Sequence, residues 1–463
     1  MIDHNATLIE IIESWKCADF PLNDLEKILN WIEYKNKNVS VRVEKISFTD
    51  DSNWFYNKGD QGIVNSDRTF FKIVGLKKES DEGCEEQPII IQNEIGFLGI
   101  ICKKIEGVLY FLMQGKIEPG NINKIQISPT IQATRSNFLR AHGGSEPPYL
   151  EYFTDASRHE VIVDQIQSEH SSRFLGKRNR NIIIKIEEDI QVLPSHMWMT
   201  LKQIKTLMKV ENLVNMDTRT VISCIPFSLR EYSHEELAYL GSLFDNKPFF
   251  NSIFNKVNSN YINKIFQYIN DFKMLDRSVI STVDLYSLKD WSLVDNKEYS
   301  SPEGKFKIVY CDVSIDGREV HSWRQPLIEA TGTSVFGLIY TIKDDKIYML
   351  VQAVSEVGCF DKIEIGPSVQ IGPNAKNLGL VEQLFLKKLQ NGEDIHFSGL
   401  FSEEGGRFYH EQNRNVLMFL DYKDLPDIPS HYFWVDFNSL NILVQFNNCL
   451  NIQLRNLLSI LDF

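Results

Sequence analysis

SEEGGRFYHEQNRN, at residues 402–415, and SEHSSRFLGKRNRN, at residues 168–181, are one polar phrase written twice. Ser-Glu, Arg-Phe and the closing Asn-Arg-Asn recur at the same spacing, so half of the positions agree. Upstream, QPIIIQNEIGFLGIICKKIEGVLYFLMQGKIEPGNINKIQISPTIQ (87–132) lies over QPLIEATGTSVFGLIYTIKDDKIYMLVQAVSEVGCFDKIEIGPSVQ (325–370) without a gap. The matches include Gln114/Gln352, Glu118/Glu356, Gly120/Gly358, Lys124/Lys362, Pro129/Pro367 and Gln132/Gln370. DLEKILNW (24–31) and DLYSLKDW (284–291) extend the likeness. Self-similarity on this scale marks a duplicated unit. The expected fold class is α+β, with two tandem mixed α/β domains produced by internal duplication.

Both copies read in the same order. A short helix ends in Trp31 or Trp291, and β-rich text follows, FFKIVGL or FKIVYCDV. Two apolar runs parted by a charged turn then read as a hairpin, GFLGIICKK/GVLYFLMQ and FGLIYTI/KIYMLVQ. A polar E-x-G-x-x-x-K loop and another strand follow, and the quoted phrase leads into a last strand, NIIIKI or NVLMFL. NLGLVEQLFLKKLQNG has apolar residues at helical spacing and a glycine stop. The expected boundaries are 1–190 for the first repeat, 191–280 for a mainly helical connector and 281–463 for the second repeat. In the connector, SHMWMTLKQIKTLMKVEN reads as a helix with Ser195 as N-cap, and SHEELAYLGSLF and FNSIFNKVNSNYINKIFQYINDF read as further helices. Its apolar surface exceeds what two small domains readily cover, so a homodimer is expected.

Composition narrows the function. A formal net charge of −13 and a pI near 5.4 argue against a general nucleic-acid binder, though not against a local cationic pocket. The seven cysteines stand singly without C-x-x-C, as expected of reduced, buried thiols in a cytoplasmic protein. MIDHNATLIE carries no basic-then-apolar targeting pattern, and Lys103, Lys104 and Glu106 interrupt the longest apolar stretch. No membrane contact is expected.

No G-x-S-x-G, strand-borne G-x-G-x-x-G, P-loop or H-E-x-x-H occurs, so serine hydrolysis, nicotinamide or flavin redox and zinc chemistry have no motif; no cofactor and no metal ligands are expected. REYSHEE (230–236) superficially resembles a Nudix hydrolase box, but its acidic spacing is wrong for carboxylates gathered around Mg²⁺. It reads as solvated helix surface. LGKRNRN (175–181) reads as a diphosphate clamp or a solvated turn, since arginine and lysine supply charge and forked donors to phosphate. SEEGGRFYH sets Glu403, Glu404, Tyr409 and His410 around a glycine pair, and AHGGSEPPY (141–149) brings His142 and Tyr149. Such groups on loops suit acid–base chemistry or, equally, a surface salt-bridge patch.

Beyond this, GKIEPGNINKIQISPTIQATRSNFLRAHGGSEPPY, QSEHSSRFLGKRNRN, LPSHMWMTLKQIKTLM, ENLVNMDTRTVISCIPF and SEEGGRFYHEQNRN resemble the signature blocks of the NDP-hexose 2,3-dehydratases. The resemblance covers nearly the whole chain. CEEQPII lacks the tryptophan of HSWRQPLI, and His170-Ser171 replaces glycine-bearing text of the family. The resemblance implies two Nudix-like domains whose hydrolase box is lost. It also implies a nucleotide-linked 4-keto-6-deoxyhexose as substrate, most often on dTDP, which loses the carbon-2 hydroxyl and the carbon-3 hydrogen to become a 3,4-diketo-2,6-dideoxyhexose. A catalytically silent sugar-nucleotide binder and a Nudix-type pyrophosphatase are the alternatives.

Such an elimination needs a base, donors for the enolate oxygen and an acid for the leaving hydroxide. Candidates are Glu403, Glu404, Tyr409 and His410 in the second copy and Glu118, His142, Tyr149 and Glu169 in the first. Arg173, Lys177, Arg180, Arg407 and Arg414 are the phosphate-side candidates, with Gln132 and Gln370 as further substrate contacts. Both copies keep the frame for an anionic ligand. Leu175 and Gly176 stand where the second copy has Tyr409 and His410, so the chemistry is expected in the second copy.

Overall fold

The computed structural model describes residues 4–16, 22–48, 53–68, 70–81, 83–134, 146–229, 231–255, 259–316, 320–425 and 427–463. Among these, the first half runs α1 (His4–Lys16), α2 (Leu25–Lys37), β1 (Val41–Ile46), β2 (Trp54–Asn57), β3 (Gly62–Asn65), β4 (Lys72–Ser80), β5 (Gly83–Ile91), β6 (Gly96–Ile105) and β7 (Val108–Ile117). It continues with β8 (Ile125–Ser128), β9 (Ile131–Ala133), α3 (Leu150–Thr154), β10 (Glu160–Ser168), β11 (Arg178–Lys185), β12 (His196–Met199), α4 (Leu201–Met208) and α5 (Met216–Ser223). After α6 (His234–Ser242) and α7 (Lys247–Phe254) the order returns. It reads α8 (Ser259–Leu275), β13 (Val279–Val283), β14 (Ser292–Val294), β15 (Glu298–Ser300), β16 (Phe306–Ile315), β17 (Ser322–Ala330), β18 (Val335–Lys343) and β19 (Lys346–Val354). Then come β20 (Glu364–Pro367), β21 (Val369–Ile371), α9 (Leu380–Asn391), β22 (Ile395–Ser402), β23 (Gln412–Phe419), β24 (Tyr432–Asp436), α10 (Phe437–Leu443) and α11 (Ile452–Ser459).

Each half owns a seven-stranded mixed sheet. The first has the order β10-β11-β6-β7-β12 and the second β22-β23-β18-β19-β24, with β8 and β9, or β20 and β21, laid on β7 and β6, or on β19 and β18. The β11–β6 and β23–β18 pairs are parallel and the rest of each sheet antiparallel. The expected hairpins close on two residues of positive φ, Glu106 (49°) and Gly107 (88°), or Asp344 (51°) and Asp345 (56°). That backbone matches the twist of the flanking strands. Both faces of the first sheet are covered: Ile100 and Ile183 enter the large central core, and Ile101, Ile182 and Ile184 pack with Phe153. Hence the strands read as continuous apolar runs.

The two five-stranded sheets tie the halves together by exchange. β1 of the first half pairs with β16 of the second, and β13 pairs with β4 of the first. The expected boundaries at 190 and 280 therefore do not coincide with the sheets. Among the described residues, the stretch 191–280 holds the helices α4 to α8, with β12 at its start and the beginning of β13 at its end. HMWM pairs with β7 in place of continuing a helix from Ser195; the cap of α4 is Thr200, whose capping box with Gln203 starts the helix. The 24–31/284–291 likeness is also local. Asp24 caps α2, which runs past Trp31 to Lys37, whereas Asp284 caps a single 3₁₀ turn after β13, so Trp291 ends no α-helix. In REYSHEE, Ser233 and Glu236 form the capping box of α6, which accounts for the acidic spacing. The glycine stop is as expected: Gly392 closes α9 with φ 70°.

Candidate active site

The repeated phrase is the hinge of the whole arrangement, because each copy's version docks on the other copy. Gly120 N donates to Gly405 O (2.7 Å) and His410 N donates to Gly120 O (3.0 Å). Reciprocally, Gly358 N donates to Ser171 O (2.8 Å) and Gly176 N to Gly358 O (2.8 Å). Only glycine fits there: a β-carbon would stand 1.6 Å from Phe408 O at Gly120 and 2.0 Å from Phe174 O at Gly358. Phe174 and Phe408 meet edge to face, 5.9 Å between centroids. Arg173 lies over Phe306 (4.3 Å) and Arg407 over Phe71 (4.3 Å), each arginine clamping the opposite half. Deeper still, Arg219 donates to Ser402 O (2.7 Å), and Arg455 donates to Ser168 O. These exchanges define a pseudo-twofold axis between the halves.

Two buried polar clusters flank that axis, and each draws on both halves. In the first, Glu118 at the end of β7 pairs with Lys116 (3.3 Å) and accepts from Gln132 Nε2 (3.2 Å). Around it stand Glu169, held by Asn179 (2.5 Å), Lys177, which donates to Glu94 O (2.5 Å), and Asp217 of α5. The second half contributes Glu404 and Arg407, the latter donating to Gln92 Oε1 (3.3 Å). Glu118 and Glu404 converge on Gly406: a β-carbon there would lie 2.8 Å from Glu404 Oε1 and 3.5 Å from Glu118 Oε1. Burial lifts the Glu404 carboxyl to about 7, with Glu118 and Glu169 adding to the rise against the pull of Arg407 and Lys177. Burial also raises Glu169 and lowers Lys177.

The second cluster has the same frame and different chemistry. His170 stands at Glu404's place, Glu403 at that of Glu169, Glu411 at that of Lys177 and Glu356 at that of Glu118. His170 Nε2 is 2.5 Å from Glu403 Oε2, and Asn413 donates to the other Glu403 oxygen (2.7 Å). Burial opposes charge on His170, but the Glu403 carboxylate outweighs it and carries the imidazole up to about 9. Burial likewise opposes the Glu403 charge, and His170 and Arg219 still hold it below the usual carboxylate range. A doubly protonated His170 needs an acceptor at Nδ1. Gln453 Nε2 lies there at 3.2 Å, and its Oε1 has no partner, so the amide turned over satisfies both groups. Gln370 donates to Glu356 (2.6 Å), and Arg173 reaches Glu411 at 3.9 Å.

Of the residues singled out from the sequence, Glu118, Gln132, Glu169, Lys177, Glu404 and Arg407 thus meet in one cluster, and Glu403, Gln370 and Arg173 in the other. Five others lie elsewhere. Arg180 makes a two-pronged pair with Asp164 (2.6 Å to each oxygen), and Arg414 reaches Ser398 (3.1 Å), because strand alternation turns them away from Asn179 and Asn413. Tyr409 lies under Lys45 (4.7 Å) and stacks on exposed His410 (4.3 Å). The Tyr149 hydroxyl donates to Gln191 O (2.8 Å) and accepts from Leu193 N (3.0 Å), a strut for that segment. His142 lies outside the described residues. The clusters also contain His170, Glu356, Glu411, Asp217, Gln453 and Lys116, which the sequence reading did not propose. Their signal is the few sites where the copies differ within a shared frame, as in NMDTR (215–219) against NIQLR (451–455). Among the described residues no group of three His, Cys, Asp or Glu side chains is arranged to hold a metal ion, and no helix is long and apolar enough to cross a membrane.

Carboxyls beside lysine and arginine, assembled between two copies of one α/β unit, form a cluster whose chemistry can exchange protons and hold an anion. Comparison with known proteins makes this specific. The model of the NDP-hexose 2,3-dehydratase family matches residues 25–225 and again 262–461, and the chain belongs to this family. A dTDP-4-dehydro-6-deoxy-alpha-D-glucopyranose 2,3-dehydratase of Saccharopolyspora spinosa is 36% identical over 441 residues, 93% of this chain and 89% of that protein. Proteins of the same description from Streptomyces violaceoruber and Amycolatopsis orientalis are 34% and 33% identical, over 93% and 99% of this chain and 95% of each relative.

Proposed function

We infer that this protein is a hydro-lyase that removes the carbon-2 hydroxyl of dTDP-4-dehydro-6-deoxyglucose, and that the Glu404 cluster is its reaction centre. The convergence of Glu404 and Glu118 from opposite halves on Gly406, beside Lys177 and Arg407, carries the reading. The hydrogen on carbon 3 is acidified by the neighbouring ketone. A carboxylate with a pKa of about 7 is well matched to take it at neutral pH, since base strength and ionised fraction are then both favourable. Gln132 lies ready to donate to the enolate oxygen, and Lys116, Lys177 and Arg407 offer charge to the diphosphate.

The His170 cluster suits this less well. Lys177 is replaced by Glu411 and Lys116 by Val354, and His170 and Glu403 neutralise each other. The chemistry thus belongs to neither copy alone: Glu404 and Arg407 come from the second, the other groups from the first. The reading includes Nudix-like repeats, supported by the mixed sheets, and a cytoplasmic homodimer, supported by exposed Met274, Leu275, Val279 and Ile280 along the end of α8 and β13. Mass spectrometry after incubation with dTDP-4-dehydro-6-deoxyglucose should show a sugar nucleotide lighter by one water. Release of dTMP would favour the pyrophosphatase alternative, and binding without turnover the silent binder.

A further inference from the structure

The two clusters are built on matching hydrogen-bond chains. In the second, Asn451 caps α11 and donates to Gln370 (3.0 Å), Gln370 donates to Glu356 (2.6 Å), and Gln453, two residues after the cap, meets His170 at 3.2 Å. In the first, Asn215 caps α5 and donates to Gln132 (3.3 Å), and Gln132 donates to Glu118 (3.2 Å). Asp217 stands where Gln453 stands, and Glu404 where His170 stands. The pseudo-twofold axis therefore sets two carboxyl groups against each other where the mate cluster has an amide and an imidazole. Asp217 is only 2% exposed. Burial, then Glu169, Glu404 and Glu118, hold its proton on well above the usual range, against the opposite pull of Lys116. Carboxyls gathered in one cluster disfavour each other's ionisation, so Asp217 keeps its proton while Glu404 can give one up near neutral pH.

We propose that Asp217 is the general acid of the dehydration, paired with Glu404 as the base; this rests on the Glu404 cluster being the reaction centre. The ionised Glu404 takes the proton from carbon 3 as the electron pair moves toward the carbonyl at carbon 4. The pair then forms the C2=C3 bond, the C2–O bond breaks, and the Asp217 proton joins the departing hydroxyl as water. The proton gained by Glu404 returns to Asp217, so the pair ends with the one proton it began with. In a gluco-configured ring the carbon-3 hydrogen is axial and the carbon-2 hydroxyl equatorial and gauche to it. The elimination is therefore syn, and an acid and a base on one side of the ring can serve both bonds.

Asp217→Asn separates the two half-reactions. With dTDP-4-dehydro-6-deoxyglucose in D₂O, turnover should fall about 100-fold or more, while exchange of the carbon-3 hydrogen for deuterium, followed by NMR, continues. The melting temperature should stay the same or rise, because a crowding carboxyl is gone. Asp217→Gln, which installs the side chain that Gln453 provides on α11, should behave alike. Turnover within a few-fold of wild type overturns the proposal, as does loss of exchange together with turnover. Unfolding of both variants overturns it too, since a carboxyl kept for chemistry is not needed for the fold. If wild-type protein neither exchanges nor eliminates, the assignment of the site fails instead.

Discussion

Gly120→Ala loads the junction between the halves at one atom. The new β-carbon would sit 1.6 Å from Phe408 O and 2.9 Å from Gly405 O, and both are backbone, so no side chain can swing away. The two turns must part, which breaks the bonds Gly120 N to Gly405 O and His410 N to Gly120 O. Each leaves a buried polar group unsatisfied at about 1–3 kcal/mol, about 4 kcal/mol for the two. Unfolding entropy scales with length, so a chain of 463 residues has on the order of 1 kcal/mol per kelvin at its midpoint. The melting temperature should drop by about 4 °C in scanning fluorimetry. Activity should fall further, about 100-fold, because Glu118 lies two residues away and a shift of ~1 Å is enough to misplace it against Glu404. Gly241→Ala is the control. Its β-carbon would meet only the Phe250 ring at 3.5 Å, within helix α6, and should add about 1 kcal/mol of stability. If Gly120→Ala melts with the wild type and turns over normally, the reciprocal docking of the two phrases is wrong.

His170→Leu strands the Glu403 charge in the interior and should cost about 3–5 kcal/mol by urea denaturation. His170 has a folded pKa of about 9 against 6.5 unfolded, so its contribution is complete below pH 6.5 and is lost as pH rises through 9. Glu403 is depressed, so its share is present above its unfolded value and lost as pH falls through the folded one. The wild-type urea midpoint should therefore decline between pH 6.5 and 9, and the variant's should not. Arg180→Ala and Arg414→Ala should keep turnover within about twofold, since both side chains sit on the outer strand face and exposed pairs contribute little; a 100-fold loss at either would return them to the site. Light scattering should give twice the 53.7 kDa chain mass, and a monomer at micromolar concentration would contradict the homodimer.

The duplication and the mixed α+β character were legible because hairpin turns, apolar runs and the glycine stop at Gly392 are local signals. The exchange of β1 and β13 was not, since strand pairing partners are set by tertiary packing that a linear pattern does not encode. Ser195 as a cap failed for the same reason: HMWM can read as helix or strand, and pairing with β7 decides it. In the Glu404 cluster, Glu404 and Lys177 were legible from residue type, and Glu118 and Arg407 from recurrence. Arg180 and Arg414 recur equally well, and only strand alternation tells inward from outward. Asp217 and His170 were hidden because recurrence draws attention to what the copies share, whereas the clusters differ in chemistry where the copies diverge.

On the proposed assignment Glu404, a carboxyl of the second copy working against residues of the first, removes the carbon-3 proton. Steady-state kinetics of Glu404→Gln with dTDP-4-dehydro-6-deoxyglucose tests it directly. The wild-type kcat/KM should rise as pH passes through about 7, where Glu404 ionises. The variant should lose turnover by about 100-fold or more and lose carbon-3 exchange with it, while binding dTDP as before. A variant that still eliminates water at the wild-type rate, with the same pH profile, would contradict the account.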